Sequence, residues 1–234
     1  MRLAVIPARG GSKRIPRKNI RPFAGLPIIA WSIRAALASQ CFDRVFVSTD
    51  DEEIATVARA HGAEAPFLRP AELADDHAGT IPVIAHAISW HDRQAAEPAT
   101  EVCCIYATAP FVQAKDLQRG LQVLHDSGAE YAFSVTTYPF PIQRAIRLTP
   151  DGRVEMFQPE HFHTRSQDLE PAWHDAGQFY WGKATAWLAG KPLFSHDAAP
   201  VPIPRHRVQD IDTLEDWERA EWLFKAMQLA AQAR

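Results

Sequence analysis

The feature that most limits what this chain can become is a four-residue apolar run, Leu3-Ala4-Val5-Ile6, that stops at Pro7. It opens directly into Ala8-Arg9-Gly10-Gly11-Ser12-Lys13-Arg14-Ile15-Pro16-Arg17-Lys18-Asn19. A run that is short and apolar at every position predicts a strand buried on both faces, as in a parallel sheet covered by helices. The two glycines that follow allow a tight loop whose backbone can approach a ligand closely.

The downstream pattern repeats strand and helix. Ile29, Ile33, Ala36 and Leu37 recur at helical spacing behind Pro27 and predict a helix over 27–39. Val45-Phe46-Val47 predicts the next strand, and Asp50 with Glu53 reads as a capping box for a helix through Ala60 that Gly62 stops. Thr80 and Pro82 open a further helix, Val102 to Tyr106 a strand, Leu117, Leu121 and Leu124 a helix ended by Gly128, and Ala132 to Thr136 a strand. Gln178 to Trp181 returns to strand character, and a last helix runs from a Thr213 cap, with Asp216 in its first turn, to about Gln232. The expected class is α/β, with a mostly parallel sheet flanked by helices and ligands at the carboxyl ends of its strands. A length of 234 residues suits one such domain.

Alternation fails over about 138–175, a stretch rich in proline, histidine and aromatic residues. The Asp151-Gly152 turn signal between Ile146, Leu148 and Val154 predicts a hairpin arm there. Such an arm either covers the active site or reaches a second copy of the chain, and its apolar residues predict a homodimer.

A net charge of −3 argues against a general nucleic-acid binder. No apolar run approaches the roughly 20 residues of a membrane span. The stretch Met1 to Pro7 is also short for a signal peptide, so the expectation is a cytoplasmic protein with no membrane partner. Cys41, Cys103 and Cys104 lack metal-ligand spacing and read as structural thiols.

The loop after the first strand carries Arg9, Lys13, Arg14, Arg17 and Lys18, a charge set suited to a triphosphate at the position where α/β sheets bind ligands. It has neither Walker nor dinucleotide-fingerprint spacing, which weakens the ATPase and dehydrogenase readings. Asp210 and Asp212, with one residue between them, point to one side of an extended segment, where they can share a hard cation or merely assist the Thr213 cap. His161, His163, His174 and Asp175 lie in or beside the arm and are read without a metal.

Ile6 to Lys13, then Pro16 and Lys18-Asn19, resemble the signature of the sugar nucleotidyltransferases that activate acidic sugars with CTP. Val47-Ser48-Thr49-Asp50, Leu68 to Ala74 with Asp76-His77-Ala78, and Asp210-Ile211-Asp212-Thr213 follow as blocks similar to the CMP-sialic acid synthetase family, in the family's order. The resemblance implies a Rossmann-like nucleotide-diphospho-sugar transferase fold. It also implies a reaction in which CTP and an acidic nine-carbon sugar give a CMP-sugar and pyrophosphate. By the same resemblance Arg9 and Lys18 are catalytic phosphate contacts, and Ala8, Gly10, Gly11 and Ser12 cradle the triphosphate. Arg69, Ala78 and Thr80 contact the cytosine, and Asp210 and Asp212 hold Mg²⁺ or Mn²⁺, with Asp212 also counted as catalytic.

The sugar side departs from that family. Sialic acid synthetases carry Gln-Pro-Thr-Ser-Pro where this chain has Tyr106-Ala107-Thr108-Ala109-Pro110. A phenol in place of an amide removes paired donors and acceptors and adds an apolar face, which fits a less hydroxylated, N-acylated sugar. With the blocks Phe140 to Ala145 and His174 to Trp181, the sequence looks most like pseudaminic acid cytidylyltransferases. Tyr106, Arg165, Gln178 and Phe179 are the expected sugar contacts. The rival sugars are N-acetylneuraminic acid, legionaminic acid and 3-deoxy-manno-octulosonate, and the rival class is a non-catalytic nucleotide-binding protein of this fold.

Overall fold

The computed structural model describes residues 1–75 and 78–232. Its elements are β1 (Arg2–Pro7), β2 (Pro22–Phe23), β3 (Leu26–Pro27), α1 (Ile28–Ser39), β4 (Arg44–Ser48), α2 (Glu52–Ala60), α3 (Thr80–Gln94), β5 (Glu101–Ile105), α4 (Ala114–Ser127), β6 (Tyr131–Thr137), β7 (Ile146–Leu148), β8 (Val154–Met156), β9 (Trp173–Lys183), α5 (Ala184–Leu188), β10 (Ala198–Pro202) and α6 (Leu214–Gln232).

Six strands form one sheet in the order β10-β6-β9-β5-β1-β4. β1 lies parallel to β4 on one side and to β5 on the other, with Val5 opposite both Phe46 and Cys104. The chain therefore moves outward from β1 to β4 and then crosses back past β1 to β5. That reversal leaves a crevice at the carboxyl ends of β1 and β5, where neighbouring connections leave for opposite faces. Among the described residues β9 is the antiparallel member of the sheet, paired with β5 and β6.

Leu3 to Ile6 are fully buried because both faces of β1 are covered. Ala4 and Ile6 pack with Ile29, Ile33, Leu117, Leu121, Phe179 and Trp181 on the side of α1 and α4. Leu3 and Val5 pack with Ile84, Ile88, Cys104, Tyr180 and Trp187 on the side of α3 and α5. All three cysteines are buried free thiols. A third cluster joins Ile15 of the basic loop, Phe23, Phe111, Ile211, and Trp217 and Phe224 of α6.

The helices start and stop near their sequence signals, with one correction. The cap of α2 is Asp51, not Asp50: its carboxylate accepts from the Glu53 and Ile54 amides. Asp50 instead accepts from the Gly10 amide at 2.9 Å. Gly62 and Gly128 take positive φ just past α2 and α4, and Thr213 Oγ1 accepts from the Asp216 amide at the start of α6. The predicted hairpin forms as β7 and β8, closed by a Gly152 to Thr149 backbone bond of 2.9 Å. The edge strand β10 has no counterpart in the sequence reading; its Pro200 and Pro202 occupy outward positions, which hid its strand character. Among the described residues no helix is long and apolar enough to cross a membrane.

Close packing between α4 and β9 depends on Gly120, where an added Cβ would stand 2.7 Å from both the Phe179 and Trp181 rings. Trp181 cannot retreat easily, since its indole N–H donates to the Leu117 carbonyl at 2.9 Å. Helix propensity alone makes Gly120→Ala stabilising by about 1 kcal/mol, whereas overpacking costs about 1–3 kcal/mol. The expected result is net destabilisation, read as a lower thermal midpoint; an unchanged or higher midpoint would show that the helix and strand yield.

Candidate active site

The basic loop is held by bonds to the strand, the helix and its own backbone. The Ala8 amide donates to the Ser48 carbonyl at 2.9 Å and extends the β1 to β4 ladder by one step. The Asn19 side-chain amide donates to the Arg9 carbonyl at 2.9 Å and closes the loop upon itself. Arg17 adopts a left-handed conformation, φ 56°, and its guanidinium bridges Asp51 and Glu53 at the head of α2. That ion pair holds the Asp51 carboxyl below its ordinary range, helped by the helix amides it caps. An added Cβ on Gly10 would lie 2.7 Å from Asp51 Oδ2, so glycine is what allows the loop to pass the capped helix.

A cavity of about 550 Å³ opens at the carboxyl ends of β1 and β5. Of the residues expected to contact nucleotide, Arg9, Ser12, Lys18, Arg69, Ala78 and Thr80 line it, together with Tyr106 from the sugar set. Lys13, Arg14 and Asn19 line it as well. Ala8 and Gly10 act behind this wall: Ala8 is buried and the Gly10 amide is taken by Asp50. Gly11 sits at the exposed turn of the loop. The Asp76-His77 pair of the sequence blocks lies outside the described residues.

Arg69 is both cavity wall and structural pin. Its guanidinium donates to Ser48 Oγ at 3.1 Å, to the Ser48 carbonyl and to the Leu73 carbonyl at 3.4 Å. Burial brings its pKa down to about 10, so it remains a cation at neutral pH. Lys18 reaches across the mouth of the cavity: Nζ donates to the Ile211 carbonyl at 2.7 Å and stands 3.4 Å from Asp212 Oδ1. The same carboxylate oxygen lies 2.9 Å from Arg14. Desolvation by the surrounding protein and the nearby Asp212 charge raise the pKa of Asp210, against the pull of Lys18.

Asp210 and Asp212 supply hard oxygen donors, Asp212 beside Lys18 and Arg14 of the basic loop, a set that suits Mg²⁺ or Mn²⁺ completed by substrate phosphates. Among the described residues no group of three or more His, Cys, Asp or Glu could hold an ion by itself, so substrate oxygens would be needed.

The other expected sugar residues lie away from this cavity. Arg165 is exposed on the arm and pairs with Asp168 at 2.6 Å. Phe179 is fully buried against α4, and Gln178 is buried with its side-chain amide donating to the Arg207 carbonyl. A second cavity of about 340 Å³ adjoins the first through Gly79, Thr80 and Tyr106, and its further lining includes Asp175, Tyr180, Leu193 and Phe194. Periodicity predicts no contact between Asp175 and Tyr180, since residues five apart on a regular strand face opposite ways. A register shift brings them together: β6 advances only from Phe133 to Val135 while β9 runs back from Tyr180 to Asp175.

Residues 3–178 match the family described as Cytidylyltransferase. The chain is 45% identical to the pseudaminic acid cytidylyltransferase of Campylobacter jejuni subsp. jejuni serotype O:2, over 95% of this chain and 96% of that protein. It is 32% identical to the CMP-N,N'-diacetyllegionaminic acid synthase of Legionella pneumophila, over 97% and 98% of the two chains. Among solved structures it is similar to a CMP:2-keto-3-deoxy-manno-octonic acid synthetase complexed with CTP, at a TM-score of 0.70 and 17% identity, covering 97% of this chain and 99% of that one. The last likeness concerns the fold.

The fixed Asp51 side chain makes Gly10→Ala a test of the loop. The expected outcome is a loss of roughly tenfold or more in CTP affinity by calorimetry, because a displaced loop misplaces several charges at once. Unchanged affinity would show that the loop position does not depend on this close approach.

Proposed function

We propose, from the premise that this chain belongs to the cytidylyltransferase family, that it makes CMP-pseudaminic acid and pyrophosphate from CTP and pseudaminic acid. The observation that carries this reading is the near-full-length 45% identity to a protein of that activity, on a chain whose cations converge at the sheet's reversal point. Alongside it, the cavity wall offers Tyr106 where sialic acid synthetases carry a glutamine.

The chemistry follows from the arrangement. The triphosphate occupies the mouth of the larger cavity, where Arg9, Lys13, Arg14 and Lys18 offset its charge. The cytosine lies deeper, against Arg69, Ala78 and Thr80. The sugar approaches along Tyr106, and its anomeric hydroxyl attacks the α-phosphorus in line with the departing pyrophosphate. Charge grows on the bridging and leaving oxygens in that step, and the Lys18 ammonium, fixed by the Ile211 carbonyl, is placed to meet it. Asp210 and Asp212 would hold a Mg²⁺ or Mn²⁺ ion, which when bound neutralises phosphate charge and lowers the pKa of an attached hydroxyl.

We further propose a cytoplasmic homodimer built on the arm. Phe140, Leu148, Val154, Phe157 and Phe162 are exposed there, beside an apolar groove of about 450 Å³ under Tyr138 and Ile142. Apolar exposure on that scale favours a second copy as cover.

The purified protein is expected to release pyrophosphate from CTP only with a divalent cation and a nonulosonic acid, pseudaminic acid being the best of a panel. Metal-independent turnover, or preference for N-acetylneuraminic acid, would overturn the reading. Asp212→Asn removes a charge from a nearly isosteric side chain, so activity should fall roughly a hundredfold or more with the thermal midpoint little changed. Near-parental activity would take Asp212 out of the metal site. Light scattering at micromolar concentration should give the mass of a dimer, and a monomeric mass would count against the arm's assigned role.

A further inference from the structure

The chain reaches Asp210 and Asp212 through a buried ion pair that the reaction itself does not use. Asp116 lies in the first turn of α4 and Arg207 ends a single helical turn, Arg205–Arg207, just before the aspartates. They meet at two points: one guanidinium nitrogen of Arg207 donates to Asp116 Oδ2, and the other donates to Oδ1 at 3.1 Å. Both residues are buried, at 2% and 6% exposure. The Arg207 carbonyl accepts from the side-chain amide of Gln178 on β9. Arg119, one turn beyond Asp116, donates to the Pro202 carbonyl at the end of β10 and stands 3.7 Å from Asp116 Oδ1.

These bonds clamp residues 202–207 onto α4 and β9. On the far side of the aspartates, Asp216 accepts from the Asp212 amide at 3.2 Å and the Thr213 amide at 2.8 Å, while Lys18 holds the Ile211 carbonyl. Residues 208–212 therefore bridge two fixed ends, and the directions in which Asp210 and Asp212 present their oxygens depend on both. A buried ion pair is weak evidence for stability, because apolar residues of similar volume are often as stable in its place. What a two-point arginine–carboxylate pair adds over apolar packing is a fixed orientation. Mg²⁺ demands near-ideal octahedral geometry, so orientation of its protein ligands is what such a site needs.

We propose that Arg207, held by Asp116 and Gln178, is a positioning residue that sets the Asp210–Asp212 segment in register for a divalent cation. This inference rests on the reading that those two aspartates hold Mg²⁺ or Mn²⁺. Arg207 acts through the backbone between itself and Asp210 and touches neither ion nor substrate. Gln178 serves two sides at once: its backbone carbonyl accepts from the Tyr106 amide at 2.9 Å, and its side chain holds the Arg207 carbonyl. One residue of β9 thus fixes the cavity wall and the aspartate segment relative to each other, which is a different task from the sugar contact that the sequence blocks imply.

The test uses the whole protein with Arg207→Lys, Gln178→Met, the double variant Asp116→Leu with Arg207→Met, and Asp212→Asn as the reference. Mn²⁺ affinity is measured with CTP and without sugar by water-proton relaxation enhancement, which separates ion bound to protein from ion on free nucleotide. CTP affinity is measured by calorimetry in the presence of a chelator, and folding by the thermal midpoint. Arg207→Lys, Gln178→Met and the double variant should each weaken Mn²⁺ about tenfold and leave metal-free CTP affinity within about twofold. The double variant removes both charges together, so it should keep the parental midpoint while still binding Mn²⁺ weakly. Parental Mn²⁺ affinity in the double variant overturns the proposal. So does a loss of Mn²⁺ affinity matched by losses in metal-free CTP affinity and midpoint, the sign of a merely structural role. Should the double variant fail to fold, Gln178→Met decides, since it keeps the ion pair and removes one hydrogen bond. If Asp212→Asn binds Mn²⁺ as the parent does, the metal assignment falls and this inference with it; if Asp212→Asn alone weakens Mn²⁺, only this inference falls.

Discussion

The site depends on one apolar contact, the burial of Ile15 and Ile211 in a common cluster with Phe23, Trp217 and Phe224. Ile15 belongs to the basic loop and Ile211 to the segment that carries the two aspartates, so their packing brings opposite charges from distant parts of the sequence face to face. Each fully buried isoleucine contributes about 1.5–3 kcal/mol, more than an exposed ion pair supplies. Alternation does the rest: with Ile211 turned into the core, Asp212 turns away from it toward Lys18 and Arg14 of the loop. The 2.7 Å bond from Lys18 Nζ to the Ile211 carbonyl is a consequence of that placement.

Five basic side chains in one short loop would repel one another and splay apart in the absence of counter-charge. The structure assigns them different work. Arg17 turns back to Asp51 and Glu53 and pins the loop to α2, while Lys18 and Arg14 lean on Asp212. Arg69, from another segment, is spent largely on Ser48 and Leu73, so its charge stands at a fixed position in the wall. Fixing the charges before a triphosphate arrives removes reorganisation that would otherwise oppose binding and the growth of charge on the leaving group.

These contacts also explain what was legible in the sequence. The loop, the strands around it and most helix ends rest on local signals such as periodicity, paired glycines and caps, whereas Arg69, Ala78 and Thr80 join Arg9, Ser12 and Lys18 through the resemblance of sequence blocks, and Tyr106 joins from the sugar set; all seven line one cavity. Asp50 and Asp51 are adjacent candidates for one cap, and only the loop's return past α2 decides that Asp51 caps while Asp50 holds Gly10. The likeness of sequence blocks puts Gln178 and Phe179 at the sugar, but in the fold one is tied to the Arg207 carbonyl and the other packs against Gly120. The irregularity in β9 exchanges which residues of that strand face the second cavity, and nothing in a period-2 pattern reports such a shift.

The antiparallel insertion of β9 has a functional logic of its own. Because it returns from the arm and runs between β5 and β6, its amino-terminal half reaches the same sheet edge as the loop after β1, yet arrives from a different part of the chain. The proposed function has charge for the nucleotide and shape for the sugar supplied by separate segments that meet at Tyr106, whose amide donates to the Gln178 carbonyl at 2.9 Å and whose carbonyl accepts from Ser32 at 2.7 Å. On that proposal, substitutions in β9 away from Gln178 alter what the sugar side accepts without moving Arg9, Lys18 or the aspartates. A fold arranged this way can keep one phosphoryl-transfer apparatus while the strand next to it is revised for a different acidic sugar.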